Sequence, residues 1–129
     1  MSREIVSTPN APHAVGAYSQ GIIANGFVFT SGQIHLRPDG TMVEGDIQTM
    51  TRQCLDNVKS ILEAAGASLN DLVKVTIFAR DMKNFQLINE VYKSYFTQSP
   101  PARSFVEVSN LPRNAQVEIE GIALLPNRS

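Results

Sequence analysis

The sequence predicts an α+β fold in which two helices cover one face of a mixed β-sheet. Two segments repeat apolar residues at three- and four-residue steps, as amphipathic helices do. Each lies between segments rich in β-branched and aromatic residues, so each is expected to join two strands of one sheet by a right-handed crossover. The predicted order is strand, strand, strand, helix, strand, helix, strand, strand, within a single domain covering residues 1–129.

The first half of the chain predicts a short edge strand, a loop and a hairpin. Residues 3–7 form the candidate edge strand, and residues 8–20, rich in proline, alanine and glycine, form an irregular loop. Strands are predicted over residues 21–24 and 27–34. Asn25-Gly26 lies between them and is the strongest short signal for a hairpin, because both residues tolerate positive φ.

The first helix is predicted over residues 46–65. Asp46 is a suitable N-cap, and Gly66 is a suitable C-terminal stop. The apolar stripe of this helix comprises Ile47, Met50, Cys54, Val58, Ile61, Leu62 and Ala65. Because Cys54 lies on that stripe, we expect it to be a core residue.

The second half of the chain predicts three strands and one helix. A strand is expected over residues 72–79, followed by a helix over 84–97 with a buried aromatic and aliphatic stripe. The last two strands are expected over residues 103–108 and 116–124. Both helices therefore follow a strand and precede one, which places them on one sheet face.

Side-chain alternation predicts which face of the sheet each residue occupies. The residues expected beneath the helices are Val73, Val75, Ile77 and Ala79, with Val117, Ile119, Gly121 and Ala123 on the last strand. The residues expected on the opposite face are Lys74, Thr76, Phe78, Glu118, Glu120, Ile122 and Leu124, with Phe27, Phe29, Ser31 and Gln33 on the hairpin strand. This second face is too apolar to stay bare and too polar for a core, which favours a symmetric oligomer that buries it. A solvated antiparallel face is the alternative.

Composition excludes several classes of function. The 129 residues are 43% hydrophobic and 18% charged with a net charge of -1, which is typical of a soluble globular protein. No basic cluster is present, so tight binding to nucleic acid is not favoured. No apolar stretch is long enough to span a membrane and no targeting segment is evident, so a cytoplasmic location is expected. The single cysteine and the two histidines lack metal-ligand spacing, so we expect no metal.

The segment 100–108 contains a candidate anchor for a ligand. Two prolines end the preceding helix, and Arg103 follows at the head of a strand. An arginine at such a rim can hold a carboxylate by two parallel hydrogen bonds, although a solvated side chain is the ordinary alternative. Glu118 on the final strand is the matching acid, and the pair predicts a site for a carboxylate-bearing metabolite against a subunit boundary. The structural alternative for Glu118 is a salt bridge, for example with Lys74.

Three further residues are weaker candidates for the same site. Tyr18 lies in a loop and offers a hydroxyl and a flat apolar face, although a loop tyrosine more often simply packs. Ser31 ends a strand and can bond either a carboxylate or its own turn. Gly32 beside it would let a ligand or another backbone approach closely.

In combination, the short motifs of this chain resemble those of the Rid family, the reactive intermediate deaminases also called YjgF or L-PSP proteins. The likeness covers nearly all of the chain. The motifs that carry it are Asn10-Ala11-Pro12, Gly16-Ala17-Tyr18-Ser19-Gln20-Gly21, Thr30-Ser31-Gly32-Gln33-Ile34, Leu55-Asp56-Asn57-Val58, Ile88-Asn89-Glu90-Val91-Tyr92, Pro101-Ala102-Arg103-Ser104 and Val117-Glu118-Ile119-Glu120.

The resemblance implies a chorismate-mutase-like α+β fold, a homotrimer with sites between subunits, and no cofactor. The implied activity is hydrolysis of 2-imino acids, such as 2-iminopropanoate and 2-iminobutanoate, to 2-keto acids and ammonia. By position, Arg103 resembles the family arginine that grips the substrate carboxylate, and Glu118 the glutamate that positions the attacking water. The other residues that match pocket positions are Tyr18, Ser31, Gly32 and Asn89.

Two departures from the family pattern concern substrate preference. The family commonly has cysteine two residues after the arginine, whereas this chain has Phe105, which excludes thiol chemistry there and is expected to narrow the pocket. Ala17 replaces the usual proline before Tyr18. Two alternative functions stay open from the sequence: an endoribonuclease, a label that the family also carries, and a non-catalytic protein that binds a keto or imino acid.

Overall fold

Residues 2–126 form a mixed seven-stranded sheet with two α-helices, so the predicted α+β class is confirmed. The computed structural model describes residues 2–126. The elements are β1 (Glu4–Val6), β2 (Gly21–Ala24), β3 (Phe27–Thr30), β4 (Gln33–Ile34), α1 (Ile47–Ala65), β5 (Leu72–Ala79), α2 (Phe85–Tyr95), β6 (Ala102–Glu107) and β7 (Val117–Leu124). No helix among these residues is long and apolar enough to cross a bilayer.

The last strand lies in the middle of the sheet. The strand order is β1-β2-β3-β7-β5-β6, and β4 also pairs with β7. All neighbouring pairs are antiparallel except β5 and β6, which the α2 crossover joins in parallel. Consequently β6 is an edge strand, and β5 separates it from β7.

The first helix begins and ends where its capping residues predict. The side chain of Asp46 accepts a hydrogen bond of 2.8 Å from the backbone N–H of Thr49. Gly66 closes the helix at φ +94°, a left-handed conformation that glycine adopts without a steric penalty. The buried face of α1 packs on the sheet, and Cys54 is fully buried there, as predicted.

The second helix is shorter than predicted. It ends at Tyr95 rather than near residue 97, and the N–H of Phe96 bonds back to the Lys93 carbonyl at 3.1 Å. The segment that follows must reach an extended conformation before Pro100-Pro101, because the residue before a proline avoids helical angles. This early exit places the extended segment beside the head of β6.

One face prediction on β5 is wrong. Val73 is 43% exposed, whereas Leu72 is buried in its place. A register shift between Leu72 and Lys74 interrupts the alternation, as a β-bulge does. A Cβ atom added to Gly121 would lie 2.6 Å from a Leu72 methyl group, so the glycine leaves the room that Leu72 occupies. The other inward residues predicted on β5 and β7 are buried.

The predicted strand 27–34 is two strands. β3 ends at Thr30 and β4 begins at Gln33, so Ser31 and Gly32 lie in a break. The break shifts the alternation by one residue. Gln33, expected beside Ser31 on the outer face, is instead 5% exposed and lies opposite the buried Ile119.

Candidate active site

The Arg103 side chain is held between β6 and α2. Its Nη1 donates a hydrogen bond of 2.7 Å to Oδ1 of Asn89. Its guanidinium carbon lies 4.9 Å from the centre of the Tyr92 ring. Contacts at such distances are cation–π interactions, and they favour arginine because its flat cation stacks on rings.

No carboxylate balances this cation within residues 2–126. The described interactions of the Arg103 guanidinium are the Asn89 bond and contacts with aromatic rings. A partly buried guanidinium without an acidic partner is suited to binding a carboxylate from outside the chain. This arrangement favours the predicted anchor over an ordinary solvated arginine.

The position of Asn89 depends on the second helix. Asn89 lies one turn before Tyr92 and Lys93, on the stripe of α2 that faces β6. Residue patterns alone did not identify it, because an asparagine inside a helix carries no recognisable signal. Its match to a Rid motif was the one indication in the sequence.

The Glu118 carboxylate lies against Gly32. A Cβ atom added to Gly32 would lie 2.6 Å from Oε2 of Glu118, so only glycine leaves that oxygen its space. Burial, with a smaller effect of neighbouring Glu120, raises the pKa of the Glu118 carboxyl above its usual value. A raised pKa favours a group that exchanges protons near neutral pH. The group that approaches Gly32 within the chain is thus a side chain, whereas the sequence predicted a ligand or another backbone there.

The predicted alternative of a salt bridge between Glu118 and Lys74 is wrong. The Lys74 ammonium donates a hydrogen bond of 2.9 Å to the Ser104 hydroxyl. Lys74 lies opposite Ile122, whereas Glu118 lies opposite Phe78 at the other end of the strand pair. Glu118 has no ion-pair partner among the described residues.

The loop that carries Tyr18 is fixed by a buried glutamine. Gln20 is 4% exposed, accepts a bond from the Thr8 N–H, and donates to the carbonyl oxygens of Thr8, Ala11 and Pro12. These bonds hold the loop in place of a regular strand. Tyr18 itself is 49% exposed, and its hydroxyl accepts a bond of 3.3 Å from the Val15 N–H.

Ser31 and Phe105 each contact another element of the chain. The Ser31 hydroxyl donates to the Ser19 carbonyl, so it ties the break after β3 to the end of the loop that carries Tyr18, rather than serving its own turn as the structural alternative predicted. Phe105 packs edge to face on Phe85, with ring centres 4.7 Å apart. Phe105 therefore supports the region of Arg103 from the strand side.

These residues form two groups on opposite faces of the sheet. Arg103 lies beside buried Val75 on the helix face, whereas Glu118 lies beside Phe78 on the helix-free face. Their strands are also separated by β5. The expectation that Arg103 and Glu118 meet as a pair is therefore wrong for a single chain, because the sheet backbone lies between them.

Each group lines a cavity of its own. Tyr18, Ser31, Gly32 and Glu118 border an open cavity of about 750 Å³ on the helix-free side. Asn89 and Arg103 border a second one of about 560 Å³, beside the segment that leads out of α2. Each cavity thus holds one half of the predicted site.

Comparison with known proteins identifies the family. The family model described as endoribonuclease L-PSP matches residues 8–125. A RutC family protein of Pyrococcus horikoshii is 53% identical over 94% of this chain and 97% of its own length. The 2-iminobutanoate/2-iminopropanoate deaminase of Escherichia coli K12 is 44% identical over 92% of this chain and 95% of its own.

Solved structures agree with this likeness. The structure of Escherichia coli TdcF with bound serine is similar with a TM-score of 0.91 and 43% identity, covering 98% of this chain and 99% of that one. The match extends over the elements that carry both half-sites. The chain therefore belongs to the Rid family, the group of proteins that the endoribonuclease L-PSP model describes.

Proposed function

We propose that this protein is a 2-iminobutanoate/2-iminopropanoate deaminase, which hydrolyses 2-imino acids to 2-keto acids and ammonia. The observation that carries the proposal is the Arg103 guanidinium, which is fixed by Asn89 and aromatic rings and lacks a carboxylate partner among the described residues. A 2-imino acid supplies that carboxylate. The Escherichia coli relative with this activity in its name supports the same reaction.

The two half-sites require a second copy of the chain. One small substrate cannot contact both faces of a sheet, so Arg103 of one copy must act with Glu118 of a neighbouring copy. A row of apolar side chains crosses the helix-free face through the paired residues Ile5, Ile22, Phe29 and Ile122. Of these, Ile5 is 68% exposed and Phe29 is 41% exposed. Exposure of this row in a single chain favours an oligomer that buries it, and the homotrimer implied by the family resemblance would place the sites between subunits.

The reaction needs positioning and one proton acceptor. Arg103 holds the carboxylate and leaves the adjacent C=N carbon accessible to water. As the water oxygen bonds to that carbon, Glu118 accepts a water proton and the C=N electron pair moves to nitrogen. Glu118 then returns the proton to nitrogen. As the C–N bond breaks, the hydroxyl oxygen forms the C=O bond and gives its proton back to Glu118, so that the keto acid and ammonia leave and the ammonia takes up this last proton. Approach of a protonated imine favours the charged form of Glu118, which opposes the effect of burial on its pKa.

The activity is tested by coupling the protein to a threonine dehydratase and following the release of 2-oxobutanoate. We expect acceleration over spontaneous hydrolysis, a near-complete loss in Arg103→Ala and a reduced rate in Glu118→Gln. Equal rates with and without the wild-type protein would contradict the deaminase. Binding of 2-oxobutanoate without turnover would identify a non-catalytic binding protein instead.

Mixing Arg103→Ala with Glu118→Gln tests the shared site. Each variant lacks a different half, so a boundary between one copy of each kind can combine an intact Arg103 with an intact Glu118. Random co-assembly makes about one boundary in four complete, and about a quarter of the wild-type rate should return. Activity no higher than that of the separate variants would show that the two residues do not share a boundary. The mass in solution, against 14.1 kDa for one chain, gives the number of copies.

The endoribonuclease alternative is tested on the same variants. Cleavage of RNA that survives extensive purification and is lost in Arg103→Ala would favour it. We expect none that depends on Arg103, because the chain has a net charge of -1 and ribonucleic acid binding relies on several cationic contacts.

A further inference from the structure

Three aromatic rings surround the Arg103 guanidinium, and they come from two different elements. Tyr92 and Phe85 on α2 have ring centres 4.9 and 5.8 Å from the guanidinium carbon. Phe105 on β6 is 5.7 Å from it. We call Phe85, Tyr92 and Phe105 the aromatic cradle.

The rings of the cradle are themselves held rigidly. Phe85 and Phe105 pack edge to face across the boundary between helix and strand. Tyr92 packs on Phe96 with ring centres 4.6 Å apart and ring planes tilted by 39°, and it is only 4% exposed. The Tyr92 hydroxyl has no hydrogen-bond partner within the described structure, so ring packing and burial fix this ring.

The cradle leaves the hydrogen-bonding edge of the guanidinium available. Rings contact the flat cation without using its N–H groups, and Asn89 accepts a single bond from Nη1. The remaining donors have no protein partner among residues 2–126. A free arginine would lose side-chain entropy on binding, and a cradle that orders it beforehand removes that cost from the binding step.

We propose that Phe105 is a positioning residue, which acts through Arg103 and forms the strand-side wall of the cradle. It orders the guanidinium for a planar carboxylate, and its main effect is on substrate binding. This inference rests on the proposed function only in taking Arg103 as the carboxylate anchor. It differs from the expectation that Phe105 acts by narrowing the pocket, because its ring faces Phe85 and the guanidinium.

A spectroscopic test needs no substrate. In the ¹⁵N-labelled protein, rings stacked on the guanidinium should shift the Arg103 Nε–H proton resonance upfield, and the resonance is assigned by its loss in Arg103→Lys. We expect Phe105→Leu, which keeps apolar volume, to move this resonance towards the value of a free arginine. Phe105→Tyr should restore it. Ile88→Val is the control, because Ile88 is a fully buried α2 residue that makes no ring contact with Arg103.

Kinetics with 2-iminobutanoate give the second measurement. Phe105→Leu should raise KM by roughly 2- to 5-fold, the fold-change equivalent to one exposed cation–π contact, with kcat nearly unchanged. Phe105→Tyr should return KM to the wild-type value. If Phe105→Leu does not fold, Phe85→Leu tests the helix-side wall with the same expected results.

The outcomes separate this inference from the proposed function. If the protein hydrolyses the imine and the resonance and KM are the same in Phe105→Leu, the positioning role is wrong and the deaminase stands. A fall in kcat with unchanged KM overturns the positioning role as well. If no hydrolysis occurs, but in Phe105→Leu the resonance moves and the affinity for 2-oxobutanoate falls by roughly 2- to 5-fold, the cradle is supported and the deaminase is wrong.

Discussion

Replacing Gly32 by alanine should disable Glu118 while leaving the fold intact. The added Cβ atom would lie 2.6 Å from Oε2 of Glu118 and 2.8 Å from its carboxyl carbon. These atoms form the far end of a flexible side chain, which can move away at small energetic cost. Gly32 does not have a positive φ, so alanine introduces no backbone strain there.

The size of the displacement follows from the contact distance. To reach an ordinary contact of 3.4 Å, the Glu118 oxygen must retreat by about 0.8 Å. A misplacement of about 1 Å can cost on the order of 100-fold in rate, because proton transfer depends steeply on geometry. We therefore expect kcat to fall by about 100-fold and the melting temperature to stay within about 2 °C of wild type.

The assay is the coupled release of 2-oxobutanoate, with thermal unfolding measured in parallel. Gly121→Ala is the matched control, since its Cβ would lie 2.6 Å from a buried Leu72 methyl group and should cost about 1–3 kcal/mol of stability without lowering kcat. In a Glu118→Gln background, Gly32→Ala should reduce kcat little further, because the two changes act on one group. The reasoning is wrong if Gly32→Ala keeps the wild-type kcat. It is also wrong if Gly32→Ala lowers kcat by the same factor in the wild-type protein and in Glu118→Gln.

Three other predictions concern single side chains. Glu118→Gln should raise the free energy of unfolding at pH 7 although it lowers activity. Because folding raises the pKa of Glu118, burial of its charged form opposes folding once the pH exceeds the pKa that Glu118 has in the unfolded chain. Identical stability of the two proteins from pH 4 to 8 would contradict this. Burial lowers the pKa of His35, whose Nδ1 donates to the Val43 carbonyl and whose Nε2 accepts a 2.9 Å bond from the Gln116 N–H. The contribution of His35 to stability, measured by urea unfolding of wild type and His35→Phe, should therefore be constant above about pH 6.5 and fall as the pH drops from there towards the folded pKa. The hydrogen bond to Val43 and the nearby charge of Glu44 raise the pKa of His35 and so reduce this effect. Arg103→Lys keeps the charge but loses the planar fork, so calorimetry should show at least about tenfold weaker binding of 2-oxobutanoate; equal affinity would exclude a two-bond contact.

Local chemistry made much of the fold predictable. Asp46 and Gly66 set the ends of the first helix because each satisfies backbone groups that a helix leaves unpaired. Asn25-Gly26 formed the predicted turn, with both residues at positive φ. The bulge that turns Leu72 inward was not predictable, because Leu72 and Val73 are both apolar and either could have faced the core.

The break at Ser31 and Gly32 was hidden for a similar reason. Seven of the eight residues over the predicted strand 27–34 are typical of strands or neutral, the exception being Gly32, and the hydrophobic pattern carries no mark where the phase changes. The break accompanies a tertiary contact, because Gly32 lies under the Glu118 carboxylate. A close approach between residues 86 positions apart leaves no periodic signal in either segment.

The relation between Arg103 and Glu118 shows what alternation can and cannot determine. Val117 and Ile119 flank Glu118, so its outward direction follows from the sequence and is confirmed. On β6, however, Arg103 and Phe105 alternate with Ser104 and Val106, and neither set is more apolar, so the sequence does not indicate the face.

Pairing with β5 determines the face of Arg103, because it aligns Arg103 with Val75 under the helices. A carboxylate and its neighbouring C=N carbon belong to one small molecule, which cannot reach through a sheet. If Arg103 binds the carboxylate and Glu118 directs the water, the catalytic unit must therefore contain two chains. The mixed character of the helix-free face is then a requirement of the chemistry, since that face must bind another copy through apolar residues and also present an acid to that copy's substrate.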